Sequence, residues 1–217
     1  MTIHLTKFIL GNSKLYSVTG YRLLKILGEI NMLNIAAIEH NNWFFLKNSK
    51  FHQITIMLLS SAFIALSAQV TLPLFPIPIT LQNFAVLLIA AIFGPKVGVK
   101  VVLLYLLEGI CGLPVFINFS HGLGPTGGYL IGYVSAVYVT GYLLQHHAWT
   151  QSRLLIFLAA LFGDIVLFVF GYAVLAFFIG YRKAYLFGVA PFYLVELAKL
   201  LLFTLIVTPF LRITKTT

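Results

Sequence analysis

Residues 154–181 read LLIFLAALFGDIVLFVFGYAVLAFFIGY, and this stretch decides the class of fold. A helix that crosses the hydrocarbon core of a bilayer needs about 20 apolar residues. These 28 residues contain one acidic residue, Asp164, and no Lys or Arg. The stretch therefore predicts a membrane-spanning helix with one ionisable carboxyl near its middle.

The composition of the whole chain agrees with a membrane protein. Hydrophobic residues make up 60% of the 217 residues and charged residues 9%, against about 45–50% and about 25% in soluble domains. The net charge of +9 would indicate nucleic acid for a soluble protein; here it sets orientation in a membrane, and no nucleic-acid partner is expected. A single cysteine, Cys111, excludes a disulfide framework within the chain and a Cys-rich metal site.

Hydrophobic blocks separated by short breaks fill the chain from residue 54 onward. Gly94 and Pro95 interrupt residues 81–113, which therefore cannot form one continuous helix. We expect an all-α membrane protein with six transmembrane helices, of which the second and third are short where they line a cavity. The predicted helices cover residues 54–72, 79–93, 97–113, 127–144, 154–181 and about 187–211.

The two ends of the chain differ from the predicted membrane domain of residues 54–211. Residues 1–53 form a basic extension with 6 of the 14 Lys and Arg residues and no span-length apolar run. We expect this extension to be cytoplasmic or interfacial. Residues 21–38 have the spacing of a helix on an anionic membrane surface; a poorly ordered tail and an over-extended start are the alternatives. Residues 212–217 are predicted to form a cytoplasmic tail.

Basic residues in the loops predict the orientation. The loops at residues 73–78 and 114–126 carry no Lys or Arg. The connections on the opposite side of the membrane contain Lys96, Lys100 and Arg153. Because cytoplasmic loops are enriched in Lys and Arg, this pattern predicts both termini in the cytoplasm. Arg182 and Lys183 are exceptions on the outer side, and they either anchor helix ends at the headgroups or attract an anionic ligand.

The polar side chains of the predicted membrane domain collect in its outer half. Charged groups at bilayer depth are costly and mark binding sites or pathways. Glu196 and Lys199 are three residues apart on one face of the last helix and can pair. They form either a ligand site or a structural ion pair. Asp164 and Glu108 either contact a ligand or form hydrogen bonds between helices. His121 is expected to be an ordinary loop residue.

Sequence motifs for enzymatic chemistry are missing. The chain contains no G-x-x-x-x-G-K-[ST], H-E-x-x-H or G-x-S-x-G sequence, so it has no P-loop for ATP. We find no pair of nucleophile and base and no metal-ligating cluster in the sequence. Neither a catalytic residue nor a cofactor is therefore expected.

Five ordered motifs make the membrane domain resemble the BioY family of biotin transport proteins. The resemblance covers about residues 54–211. It implies an S-component-like bundle: the substrate-binding component of an energy-coupling factor transporter, with six helices and a vitamin bound near the outer face. The motifs are PIPITLQ at residues 76–82, GPKVG at 94–98, GLPVF at 112–116, GPTGGYLIGY at 124–133 and GVAPF at 188–192.

The resemblance also implies partners and site residues. The partners are a transmembrane coupling subunit and two cytoplasmic ATPase subunits. The coupling subunit would contact Ser61, Ala65 and Ala68 of the first helix. Some members of the family are thought to import biotin without these partners. The chain departs from the family pattern at Glu196, where Asp is usual, and in a short segment between residues 116 and 124. The expected substrate-binding residues are Thr80, Gln82, Asn118, Thr126, Gly127, Gly128, Tyr129, Asp164, Glu196 and Lys199.

Biotin uptake across the cytoplasmic membrane is the function that the sequence favours. We expect Lys199 to bind the biotin carboxylate, Asn118 to bind the ureido oxygen, and Glu196 to orient Lys199 or accept from a ureido N–H. Thr80, Gln82 and residues 126–129 would shape the pocket or its lid. An S component for another vitamin or small acid and, less favoured, a membrane enzyme are the alternatives.

Overall fold

The computed structural model describes residues 50–72, 77–120 and 124–216, the last five of these by their backbone alone. The predicted interfacial segment 21–38 and His121 lie outside the described residues. Two short 3₁₀ turns, Ile117–Phe119 and Ala190–Phe192, connect some of the helices. The other elements are α1 (Lys50–Gln69), β1 (Thr71–Leu72), β2 (Ile79–Thr80), α2 (Gln82–Ile110), α3 (Gly127–Gln145), α4 (His147–Thr150), α5 (Arg153–Ile179), α6 (Tyr181–Gly188) and α7 (Tyr193–Thr216).

Helix α2 reverses direction at Gly94 and therefore contributes two antiparallel arms, residues 82–93 and 95–110. Gly94 has φ 69° and ψ −176°, and Pro95 follows it. Gln82 Nε2 lies 2.9 Å from the hydroxyl of Tyr105, although a continuous helix would separate the two residues by about 35 Å. The prediction that Gly94 and Pro95 interrupt this block is confirmed.

The described chain has five or six segments that can cross a membrane, depending on whether the two arms of α2 are counted as one or two. Five helical stretches of the described chain are long and apolar enough to cross a membrane, and one of these is α2, which has two arms. The prediction of an all-α membrane protein is therefore confirmed. The short helix α6 was not predicted; it begins after Gly180, whose φ of 81° ends α5.

Close helix contacts depend on glycine at one crossing. Gly132 of α3 faces α5, and a Cβ atom at this position would lie 2.9 Å from the carbonyl oxygen of Leu167. A hydrogen atom in place of a side chain allows the two backbones to approach, as is common where membrane helices cross. The start of α5 is fixed separately, since Ser152 Oγ accepts a hydrogen bond from the Leu155 amide at 3.1 Å.

The polar connections between elements gather at one end of the bundle, here called the site end. Lys199 Nζ donates to the carbonyl of Thr80 at 2.8 Å, which joins α7 to β2. The hydroxyl of Tyr129 donates to the carbonyl of Gly188 at 2.7 Å, which joins α3 to α6. The reversal at Gly94 lies at the opposite end. The exposed side chains of Lys96, Lys100 and Arg153 also lie there.

Candidate ligand-binding site

A buried ion pair lies at the centre of the site end. Lys199 Nζ is 2.5 Å from Glu196 Oε1, and the two residues are 7% and 6% exposed. Their spacing of three residues places them on one face of α7. Removing two charges from solvent is costly unless they pair and find further hydrogen-bond partners. Here the carbonyl of Thr80 supplies such a partner to Lys199.

An amide group connects this ion pair to a second carboxyl. Asn83 Nδ2 donates to Glu196 Oε2 at 2.9 Å and also to Asp164 Oδ1. Asn83 lies in the first turn of α2, whereas Asp164 lies in the middle of α5, so the network ties three helices together. All four side chains of the network, with Lys199 included, are buried.

A cavity of about 60 Å³ lies next to this network at the site end. Polar groups line one part of it, and aromatic and aliphatic side chains form the rest of the wall. Such a mixture suits a ligand with a polar ring and an apolar body. The lining residues are Ile77, Pro78, Thr80, Gln82, Asn83, Ile117, Thr126, Tyr129, Leu130, Tyr133, Leu167, Phe168, Phe192, Glu196 and Lys199.

Most of the expected substrate-binding residues meet at this cavity. Six of them line it: Thr80, Gln82, Thr126, Tyr129, Glu196 and Lys199. Asp164 does not line the cavity and lies behind Asn83, to which it is hydrogen-bonded. Asp164 therefore reaches this cavity only through Asn83, whereas the six residues named above line it directly.

Three of the expected residues lie elsewhere. Asn118 is exposed and adopts the left-handed backbone conformation with φ 53°, while its neighbour Ile117 lines the cavity. Gly127 and Gly128 are buried at the start of α3 and do not line the cavity. A Cβ atom on Gly128 would lie 2.6 Å from the carbonyl oxygen of Phe170, so this glycine serves the contact between α3 and α5.

The sequence analysis missed several residues of the cavity, above all Asn83. The available signal was that Gln82 and Asn83 are two consecutive polar residues at the start of the otherwise apolar first arm of α2. Tyr133, Phe168 and Phe192 gave no such signal, because aromatic residues occur throughout the chain. Phe168 and Phe192 form an edge-to-face pair with ring centres 5.6 Å apart and make up part of the apolar wall.

The three residues expected to contact a coupling subunit differ in their exposure, and that contact stays a prediction. Ser61 and Ala68 are fully buried inside the bundle, and Ala65 is half-buried. Ser61 Oγ donates to Glu108 Oε2 at 2.5 Å and so attaches α1 to the second arm of α2. In this conformation Ser61 and Ala68 hold the bundle together and present no surface to a partner.

The described residues contain no group of three His, Cys, Asp or Glu side chains that could hold a metal ion. Glu196 is paired with the ammonium group of Lys199. The arrangement therefore suits recognition of an organic ligand by charge, hydrogen bonds and apolar contact.

The fold and the site define a multi-pass membrane protein with a buried polar cavity at one end of its helical bundle. Residues 40–216 match the model of the BioY family, and the chain belongs to that family. The resemblance found in the sequence motifs is thereby confirmed. As a member of this family with five span-length helical stretches, the chain is a protein of the cell membrane.

Relatives of known name cover most of the membrane domain. The probable biotin transporter BioY of Pyrococcus horikoshii is 34% identical over 69% of this chain and 90% of its own. The biotin transporter BioY of Thermotoga maritima is 38% identical over 67% of this chain and 88% of its own. A crystal structure of the S-component for biotin from an ECF-type ABC transporter superposes with a TM-score of 0.63 at 26% identity, covering 76% of this chain and 93% of the other.

Proposed function

We propose that this protein binds biotin in the cavity at the site end and serves as the substrate-binding component of a biotin uptake system. The observation that carries the proposal is the buried Lys199–Glu196 pair facing the cavity in a chain whose relatives are named biotin transporters. This relationship also sets aside the membrane-enzyme alternative.

The chemistry of biotin matches the lining of the cavity. Biotin has a carboxylate, a ureido ring that donates and accepts hydrogen bonds, and an apolar ring and tail. Lys199 uses two of its three N–H groups on Glu196 and Thr80, which leaves one for the ligand carboxylate. The rings of Phe168 and Phe192 supply apolar wall. Gln82 and Thr126 supply neutral polar groups on the same cavity.

Ligand entry requires movement of the cavity wall. The cavity holds about 60 Å³, whereas pockets for small ligands measure about 300–1,000 Å³. A molecule of biotin's size therefore displaces side chains when it binds. The ligand carboxylate then leaves water next to Lys199, which is already buried, and the low polarity of the site strengthens their attraction.

The orientation of the protein and its partners complete the proposal. Lys96, Lys100 and Arg153 lie at the end opposite the cavity. Because cytoplasmic loops are enriched in basic residues, this supports an orientation with the cavity toward the exterior. Because the sequence has no P-loop, energy for ATP-driven uptake would come from two separate ATPase subunits through a membrane coupling subunit. Uptake without these subunits is the alternative.

Binding of radiolabelled biotin to the purified protein at nanomolar ligand tests the function. We expect unlabelled biotin to compete, and riboflavin and thiamine to leave the bound label unchanged. Displacement by another vitamin and not by biotin would assign the protein to that vitamin. Uptake by membrane vesicles that contain only this protein, compared with vesicles that also contain the coupling module, separates the two modes of transport.

A further inference from the structure

Asn83 Oδ1 is buried without a hydrogen-bond partner among the residues that the structure describes. Asn83 is 5% exposed and lines the cavity. A buried carbonyl oxygen without a donor carries the full desolvation penalty of the group. Such atoms are rare in folded proteins and call for an explanation. Here the cavity beside the amide gives one, because a ligand can supply the missing donor.

The orientation of the Asn83 amide is fixed by its neighbours. An amide nitrogen has two N–H groups, and those of Asn83 go to Asp164 Oδ1 and Glu196 Oε2. Rotating the amide by 180° would turn its oxygen toward both carboxyl groups and remove two hydrogen bonds. The network therefore assigns the nitrogen to the carboxyls and keeps Oδ1 as an acceptor.

The Glu196 carboxylate already has partners for both of its oxygens. Oε1 accepts from Lys199 at 2.5 Å and Oε2 accepts from Asn83 at 2.9 Å. Glu196 thereby orients both Lys199 and Asn83 beside the cavity. Each oxygen of Glu196 keeps a second lone pair, but Asn83 Oδ1 is the buried acceptor of this network that has no donor among the described residues.

We propose that Asn83 Oδ1 accepts a hydrogen bond from an N–H group of the cyclic urea of the ligand. Asp164 is then a positioning residue that holds the Asn83 amide in the required orientation and does not touch the ligand. This inference rests on the proposed function and adds a second recognition point to it. Lys199 recognises the anionic end of the ligand, and Asn83 recognises the urea.

The pair of recognition points favours a particular class of ligand. A molecule with a carboxylate but no N–H donor at the other end leaves Asn83 Oδ1 without a donor. Sites built around a hydrogen bond reject analogues that lack the matching group much more strongly than apolar sites reject a missing methylene. Asn83 thus selects cyclic ureas over fatty acids of similar length.

The test uses the purified full chain with biotin and with the two biotin derivatives that carry a methyl group on one or the other ureido nitrogen. We expect one methyl isomer to bind more than about tenfold weaker than biotin to the unmutated protein. The variant Asn83→Ala removes the acceptor and leaves room for the methyl group, so it should bind that isomer and biotin with nearly equal affinity.

Three further variants separate recognition from folding. Gln145→Ala changes a buried amide at the opposite end, whose Nε2 has no partner in the described part of the chain, and should leave the preference for biotin unchanged. Asp164→Leu removes the partner that positions Asn83 and should lower the preference, whereas Asp164→Asn retains an acceptor oxygen and should restore it. A merely structural role of Asp164 would change stability and leave the preference intact.

The outcomes distinguish this inference from the proposed function. If the unmutated protein binds both methyl isomers as tightly as biotin, the assignment of Asn83 is overturned, and this result needs no variant to fold. If Asn83→Ala folds and keeps the full preference, the assignment is equally overturned. Absence of biotin binding to the unmutated protein would instead overturn the proposed function.

Discussion

Lys199 Nζ and Glu196 Oε1 lie 2.5 Å apart on one face of α7, with both residues buried in the membrane domain. Breaking such a pair by removing one partner leaves an uncompensated buried charge. Glu196 is held by Asn83 as well, so the pair is part of a network that connects three helices. The position of Lys199 therefore depends on residues that are far apart in the sequence.

Removal of the Lys199 charge should weaken ligand binding. Lys199→Ala is expected to lower the affinity for biotin by about 2–5 kcal/mol, the cost of losing one partner of a desolvated charge pair. Equilibrium binding to the purified protein measures this change. Lys100→Ala, which removes an exposed lysine at the opposite end, is the control and should bind like the unmutated protein. Unchanged affinity in Lys199→Ala would remove Lys199 from the site.

Neutralising Arg182 and Lys183 tests whether these exposed residues attract an anionic ligand. Both lie in α6 at the site end. Exposed charges act mainly on association, and salt screens them over about 8 Å at physiological ionic strength. If the two residues steer the ligand, the double variant Arg182→Gln/Lys183→Gln should associate with biotin more slowly at low salt and dissociate at nearly the same rate. The difference in association rate from the unmutated protein should disappear at high salt.

The control for this pair is Lys96→Gln with Lys100→Gln at the opposite end. Equal association rates of the unmutated protein and the Arg182/Lys183 variant in low salt would assign the two residues to anchoring of helix ends at the headgroups. Inverted insertion of that variant would contradict the orientation derived from the loop charges. Accessibility of an introduced cysteine from either side of the membrane measures the orientation.

Attachment of α1 to the bundle depends on Ser61. Ser61→Ala leaves the partly buried Glu108 carboxyl without this donor, and the free energy of unfolding in detergent should fall by about 1–3 kcal/mol. Ser67→Ala on the same helix is the matched control, because the Ser67 hydroxyl bonds only to the carbonyl of Phe63 on the exposed side. Equal losses in both variants would argue against a specific role of the bond between Ser61 and Glu108.

A side chain at Gly132 should force α3 away from α5. Gly132→Leu places atoms where the Leu167 backbone lies, and overpacking of this kind costs about 1–3 kcal/mol. Thermal unfolding in detergent measures the loss. Ile131→Leu, at the exposed neighbouring position, is the control and should be close to neutral. A Gly132→Leu protein as stable as the control would mean that the two helices pack farther apart than this structure has them.

The sequence alone determined the features that depend on local composition. Long apolar stretches can only be stable in lipid, so residues 154–181 and the other blocks gave the class of fold and the approximate spans. Gly94 and Pro95 determined the reversal within α2, because the first permits a positive φ and the second cannot continue a helix. The spacing of Glu196 and Lys199 determined their pairing, since it is fixed by helix geometry.

Only the tertiary structure decided which residues share the cavity. The sequence of α1 does not specify its rotation about its own axis, and the observed packing turns Ser61 and Ala68 inward. Asn118 was placed by a left-handed turn that exposes it. Asn83, Asp164 and Glu196 lie on three different helices. Their meeting results from how these helices pack, which depends on contacts between distant segments and leaves no local pattern in the chain.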